Sequence, residues 1–270
     1  ILTERVKPYR DGLTRQVHET CFWKFWDRRE EFFNRVKKKT RVLVSSKLSK
    51  YFCVVFGNPE FIYSEKVKVF DFSEYDDFCV LQSSFHIIWA LHLGSSTGET
   101  PAYVGSLCFD TFPFPSSYKS EQLKINGKKY YQLRDDIIRE NQEGLTKTYN
   151  RFHNAEELAE NIQYLRLLQI ELDKAVASSY GWSDIDLGHG FHETKQGTRF
   201  TISEEARREV LRRLLKLNHE RHEEEFAQTL HDKKKAKKTS ASSKKKIAPD
   251  KGAGNMDLFS FMNVSQNGKK

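Results

Sequence analysis

A chain of 270 residues with 38% apolar content is long enough for one large domain or two small ones. It holds no run of about 18 apolar residues, which argues against a helical membrane span. The net charge of +8 belongs to the C-terminus: eleven Lys against Asp250 and Asp257 give residues 233–270 a charge of +9 and leave about −1 for residues 1–232, so positive charge in the folded part must be local. Cys21, Cys53, Cys79 and Cys108 have neither metal spacing nor the density of a disulfide scaffold, and they fit a reduced cytoplasmic setting. The opening Ile1-Leu2-Thr3, without an initiator Met or an apolar signal core, reads as the inside of a longer polypeptide.

In chain order, residues 17–38 set Phe22, Trp23, Phe25, Trp26, Phe32, Phe33 and Val36 among charges, which predicts an amphipathic helix or helical pair. Residues 41–56, rich in Val, Phe and Tyr and broken near Leu48-Ser49, predict strands. Residues 60–72 alternate Phe61, Tyr63, Val67 and Val69 with polar residues and predict another, after a turn at Gly57-Asn58-Pro59. Ser73, with Glu74, Asp76 and Asp77 behind it, opens a predicted helix through Phe78, Leu81, Phe85, Ile88 and Trp89, closed by residues 94–98. A strand is expected over residues 103–109, ended by Pro113 and Pro115.

Asn126-Gly127 within residues 124–133 predicts a β-hairpin, followed by helix from Arg134. Asn154 and Glu157 have the spacing of a capping box before a helix with Leu158, Ile162, Leu165, Leu168, Leu172 and Ala175 on one face. A further helix opens at Ser203 and packs Ala206, Val210, Leu214 and Leu217. From His231 the Lys-, Ser- and Ala-rich composition predicts disorder. These elements predict an α+β fold in four parts. They are a helical entry segment (1–40), a strand-rich subdomain with an embedded helix (41–120), a hairpin and helical subdomain (121–231) and a disordered basic tail (232–270).

Two segments carry the functional signal: Cys108-Phe109-Asp110-Thr111-Phe112-Pro113-Phe114-Pro115, and Asn141-Gln142-Glu143-Gly144-Leu145-Thr146-Lys147-Thr148-Tyr149-Asn150-Arg151-Phe152-His153. Together they resemble the C-terminal target-recognition region of type IIG-like adenine-specific DNA methyltransferases of restriction–modification and phage defence. Weaker pieces stand in the expected order over residues 4–222. They are Glu4-Arg5-Val6-Lys7-Pro8 with Trp23 and Trp26, Arg41-Val42-Leu43-Val44 with Ser49-Lys50, Phe61, Ser64 and Glu65 with Val69-Phe70, and Leu81-Gln82-Ser83-Ser84 with His86 and Trp89.

The resemblance implies a module that reads double-stranded DNA while a methyltransferase core, elsewhere in the parent chain or on a partner subunit, flips the adenine and uses S-adenosylmethionine. The catalytic Asn-Pro-Pro-Tyr-type motif and the glycine-rich cofactor strand are absent from these residues; Asn58-Pro59-Glu60-Phe61 lacks the second Pro and the Tyr. Many relatives carry Arg-Tyr where this chain has Ala102-Tyr103, so a base read by that Arg would be read differently here.

Candidate DNA contacts are Lys47, Ser49 and Lys50 at the strand break, Thr97, Thr100 and Tyr103 around the next loop, and Lys147, Tyr149, Asn150 and Arg151 in the second motif. Arg can bind guanine or phosphate bidentately, Asn can pair with adenine, and Lys serves phosphates. The alternative for the second motif is a solvated helix end whose Tyr149 and Phe152 pack inward.

Two other function classes compete. One is a non-catalytic nucleic-acid or sliding-clamp-tethered adaptor, with Met256, Leu258 and Phe259 as the clamp peptide at the end of a basic tether. The other is a metal-dependent hydrolase using the pairs His189/His192 and His219/His222, for which surface histidines are the simpler reading.

Overall fold

The computed structural model describes residues 2–11, 22–23, 29–98 and 100–239. Much of the aromatic entry segment, the tail beyond residue 239 and the clamp-like peptide therefore lie outside the described residues. The chain divides into a unit Ile1–Arg221 and a unit His222–Lys270.

A short π-turn (Leu2–Val6) and helices α1 (Lys7–Asp11) and α2 (Glu30–Val36) precede an antiparallel sheet of order β2-β1-β3. Its strands are β1 (Val42–Ser46), β2 (Val54–Gly57) and β3 (Val67–Phe70), with Val44 opposite both Val55 and Val69. Side chains alternate across β1 as strand geometry demands. Leu43 enters the main core, while Val42 and Val44 join Val36 in a smaller cluster on the other face. The sequence predicts a longer third strand, but Phe61 and Ile62 are exposed loop residues and only residues 67–70 pair.

One predicted helix is two. Helix α3 (Tyr75–Gln82) is capped by Glu74, whose N–H donates to Asp77 Oδ2 (3.1 Å), and it stops at Ser83. The Ser83 hydroxyl donates back to the Val80 carbonyl (2.7 Å) and accepts from the His86 N–H (3.3 Å), so one side chain ends α3 and starts α4 (Ser84–Leu93). Hairpin β4 (Ser95–Thr97) and β5 (Thr100–Ala102) follows. The strand expected over residues 103–109 is instead the short helix α5 (Gly105–Cys108). Of the Phe-Pro-Phe-Pro segment, Phe112 packs edge-on to His86 (4.8 Å) and Phe114 packs among Phe72, Phe109 and Tyr118.

The predicted hairpin at Asn126-Gly127 is overturned: both residues lie within helix α6 (Glu121–Glu140), and both are buried. A strand turn needs flanking strands, whereas Leu123, Tyr130, Arg134 and Ile137 fall at helical spacing and are all buried. Asn126 donates to the Glu171 carbonyl (3.1 Å), and Gly127 lets α6 approach α3. Helix α7 (Leu145–Phe152) leads into α8 (Glu160–Ser179), which buries Ile162, Leu165, Leu168 and Leu172 as their period predicts. Asn154 and Glu157 sit in the turn before α8 and do not cap it; the Asn154 side chain accepts the Glu156 N–H (3.1 Å).

A hairpin absent from the sequence reading, β6 (Gly190–His192) with β7 (Arg199–Thr201), precedes the last helix α9 (Glu204–Thr239). Helix α9 is described as far as Thr239. No described helix is long and apolar enough to cross a membrane.

Candidate nucleic-acid interface

The loop between β1 and β2 is pinned at both ends. Leu48 bridges Ala102, Ser49 N–H donates to the Pro101 carbonyl (3.4 Å), and Tyr103 N–H donates to the Lys47 carbonyl (2.8 Å). Farther along, Lys50 Nζ and the Tyr51 hydroxyl both donate to Asn150 Oδ1, at 2.8 and 2.9 Å. The Tyr51 ring stacks on His153, with centroids 5.0 Å apart, and holds the Arg199 guanidinium 5.2 Å from its centre. The Phe200 N–H completes the junction by donating to His153 Nδ1 (3.1 Å).

These contacts enclose a cleft of about 140 Å³ between the β1–β2 loop, the β4–β5 hairpin, the end of α7 and the β6–β7 hairpin. Lys47, Lys50, Arg199 and Arg207 line it, with Tyr51, Phe52, His153 and Phe200. Among the described residues that line it there is no Asp or Glu. A concave, low-dielectric wall bearing one sign of charge focuses its field, so the cleft suits a polyanion.

The sequence-nominated residues separate into two groups. Lys50, Thr97, Thr100, Lys147 and Asn150 are exposed, while Lys47 and Ser49 are half-buried at the cleft. Thr97 and Thr100 face each other at the tip of the β4–β5 hairpin.

Tyr103, Tyr149 and Arg151 are instead engaged within the protein. Tyr103 is buried, stacked on Phe52 (4.7 Å), with its hydroxyl donating to His86 Nε2 (3.1 Å). The Tyr149 hydroxyl is shared with Tyr130 (3.0 Å), Gln82 (3.2 Å) and Arg134 (3.2 Å), and burial pushes it up to about 12, so it stays a neutral phenol. Arg151 spans Glu157 (2.8 Å) and Glu143 (3.2 Å), so its charge is already neutralised. Arg166 then fastens the end of the motif by donating to the carbonyls of Arg151, Phe152, Asn154 and Glu157. The motif is thus mostly a brace.

Sequence reasoning missed Tyr51, Arg199 and Arg207. The signal that could have found the last hairpin is a Gly-containing polar stretch, Glu193-Thr194-Lys195-Gln196-Gly197-Thr198, between two Phe-bearing runs.

His189 Nε2 meets Asp173 Oδ2 (2.9 Å), with its side chain buried rather than at the surface as expected, and His192 Nε2 donates to the Gly188 carbonyl (2.9 Å). Among the described residues no group of His, Cys, Asp and Glu could hold a metal ion. Asp173 is instead a buried hub that also accepts the Ser84 N–H and hydroxyl, both at 2.7 Å, and Gln169 Nε2 (3.2 Å).

Two imidazoles are held neutral. Burial first, then Arg199, Arg166 and Lys50, brings His153 down to about 3, and burial brings His86 down to about 3 against the donation of its Nδ1 to the Leu81 carbonyl (3.0 Å). Each folded ring refuses a proton that the unfolded ring accepts below its ordinary value of 6.5. Their contribution is therefore complete above that pH and is lost as pH falls toward 3, by about 1.4 kcal/mol per pH unit for each ring. Urea unfolding between pH 7.5 and 5.5 should show this loss, and His153→Gln should remove one proton's worth of the slope. An unchanged slope in the variant would show that His153 takes up a proton while folded.

Residues 3–116 match the family model described as the MmeI target recognition domain. The resemblance to a target-recognition region is thereby shown for this part of the chain. The structure is similar to that of the type IIL restriction–modification enzyme MmeI in complex with DNA, with a TM-score of 0.51 and 17% identity, over 80% of this chain and 25% of that one. At that identity the likeness concerns the fold, and the chain spans a quarter of that neighbour's length. No curated protein matches the chain.

Proposed function

We propose that this chain, similar over residues 3–116 to the MmeI target recognition domain, is the DNA-recognition portion of an adenine-N6 DNA methyltransferase of restriction–modification or phage-defence type, working in the cytoplasm. The observation that carries the reading is the cleft beside the β4–β5 hairpin, lined by four cations and, among the described residues, no carboxylate. Lys47, Lys50 and Lys147 take phosphates and set the register, while Ser49, Thr97, Thr100 and Asn150 approach base edges. Methyl transfer falls to a catalytic core with S-adenosylmethionine. The cleft does not fit that cofactor, because a cationic sulfonium finds no carboxylate among the lining residues.

The test is fluorescence anisotropy of labelled duplex DNA with the whole chain across a salt series. Lys147 is exposed on α7 and pairs with no acid among the described residues. Lys147→Ala should weaken binding to all sequences alike and reduce the salt slope by about one phosphate's worth. Loss at a single sequence would reassign Lys147 to a base edge. A wild-type chain that bound duplex DNA no better at 50 mM than at 500 mM salt would remove the functional reading itself.

A further inference from the structure

The far wall of the cleft comes from residues 190–207, beyond the segment that matches the recognition-domain model. Its arginines differ from those on the neighbouring helices. Arg151 is paired with Glu143 and Glu157, Arg208 with Glu204, Arg212 with Glu209, and Arg213 with Glu209 and Asp184. The two that face the cleft have no carboxylate partner among the described residues. Arg199 Nη1 donates to the Thr198 carbonyl (2.9 Å), and Arg207 Nη2 donates to the Glu193 carbonyl (3.0 Å). A guanidinium has five N–H donors, so most of each fork is left for another acceptor. The hairpin's own acid, Glu193, accepts the Thr198 hydroxyl and does not line the cleft.

The hairpin is also built to hold its shape. Thr194 and Gly197 exchange backbone hydrogen bonds at 3.2 and 3.0 Å, and Gly197 has φ +87, which a side chain would strain. Phe200 and Arg199 fasten it to His153 and Tyr51. Lys195 is exposed in the connecting turn, and its charge, after burial, is the second cause lowering the His92 imidazole on α4. Arg199 is therefore presented on a braced strand, Lys195 on its tight turn and Arg207 on the first turn of α9, rather than on a wandering loop.

We propose that the β6–β7 hairpin and the first turn of α9 form a second DNA-binding element, in which Lys195 and Arg199 of the hairpin and Arg207 of α9 grip backbone phosphates of the duplex that the β1–β2 loop and the β4–β5 hairpin read. This rests on the reading of the chain as a DNA-recognition module. Recognition then has two walls, one in the matched segment and one supplied by the C-terminal region. Arginine forks suit this task because two parallel N–H groups match two phosphate oxygens.

Salt-dependent anisotropy with the whole chain tests it, using Arg199→Gln with Arg207→Gln and, separately, Lys195→Gln, which leaves packing untouched because that side chain is exposed. The double variant should bind duplex DNA on the order of tenfold more weakly at 0.1 M salt and lower the salt slope by about two; Lys195→Gln should lower it by about one. Arg199→Lys should recover part of the loss, since it restores charge without the fork. If the wild type binds with its full salt slope and both glutamine variants match it, the hairpin is not a DNA element and the functional reading survives. A wild type without salt-dependent binding would end that reading first. A fall in affinity with the slope unchanged would mark the arginines as packing groups and overturn the proposal.

Discussion

Replacing Arg134 with Ala should cost about 3–5 kcal/mol, enough to lower the urea midpoint severely in a protein of ordinary stability. The guanidinium is 2% exposed and has no carboxylate among its described partners. Nη2 donates to the Val54 carbonyl on β2 (2.7 Å), and Nη1 donates to Gln82 Oε1 on α3 and to the Tyr149 hydroxyl on α7, both at 3.2 Å. The rings of Phe78 and Tyr131, each 5.2 Å from the guanidinium carbon, supply electron-rich neighbours. One side chain thus ties the sheet to three helices, and its removal leaves a buried carbonyl short of a donor as well as a cavity.

Arg134→Lys should recover only part of the loss, because an ammonium cannot reproduce the planar fork that reaches three acceptors. Arg134→Met, which keeps much of the volume, separates the cavity from the lost hydrogen bonds. Equilibrium unfolding with an unchanged m-value is the measurement. An Arg134→Ala variant within about 1 kcal/mol of wild type would mean that the buried network contributes little.

Gly127→Ala should destabilise the protein by about 1–3 kcal/mol even though alanine is the better helix former by about 1 kcal/mol. A Cβ there would lie 2.2 Å from the Tyr75 carbonyl oxygen and 3.1 Å from the Cys79 Cβ, so α6 would have to move off α3. The neighbouring atom is backbone, which cannot swing aside as a long side chain would. Gly127→Val should be worse, adding a β-branched side chain to the same gap. Thermal unfolding of the two variants gives the order, and an alanine variant more stable than wild type would refute the close approach.

Much of the local structure is legible in the sequence because it rests on near neighbours. The 3.6-residue spacing of Ile162, Leu165, Leu168 and Leu172 marks the buried face of α8, and Gly57-Asn58-Pro59 marks the end of β2. Glu74 with Asp77 announces the start of α3 to within a residue of the predicted position. The ordered pieces up to Pro115 also lead to a target-recognition region, and residues 3–116 match the model of such a domain.

The candidate site was less legible, because each residue's role there depends on a partner far away in sequence. Lys50 and Tyr51 meet Asn150 about a hundred positions along the chain, with sequence separations of 100 and 99. Arg151 and Tyr149 carry groups that could contact DNA, yet Glu143 and Glu157 hold the first, and Gln82, Tyr130 and Arg134 hold the second. Arg199 offers the same chemistry with no acid to neutralise it among the described residues.

Asn126-Gly127 makes the same point for the fold. A residue pair suited to a tight turn is equally suited to a close helix crossing, and only the presence of α3 against α6 chooses between them. By itself the sequence determined the periodic elements, the acidic helix start and the resemblance of residues 3–116 to a target-recognition domain, all of which depend on short-range spacing and order. The tertiary structure alone decided which cations are already paired and which line an open cleft, because charge neutralisation and burial are set by which distant segments pack together.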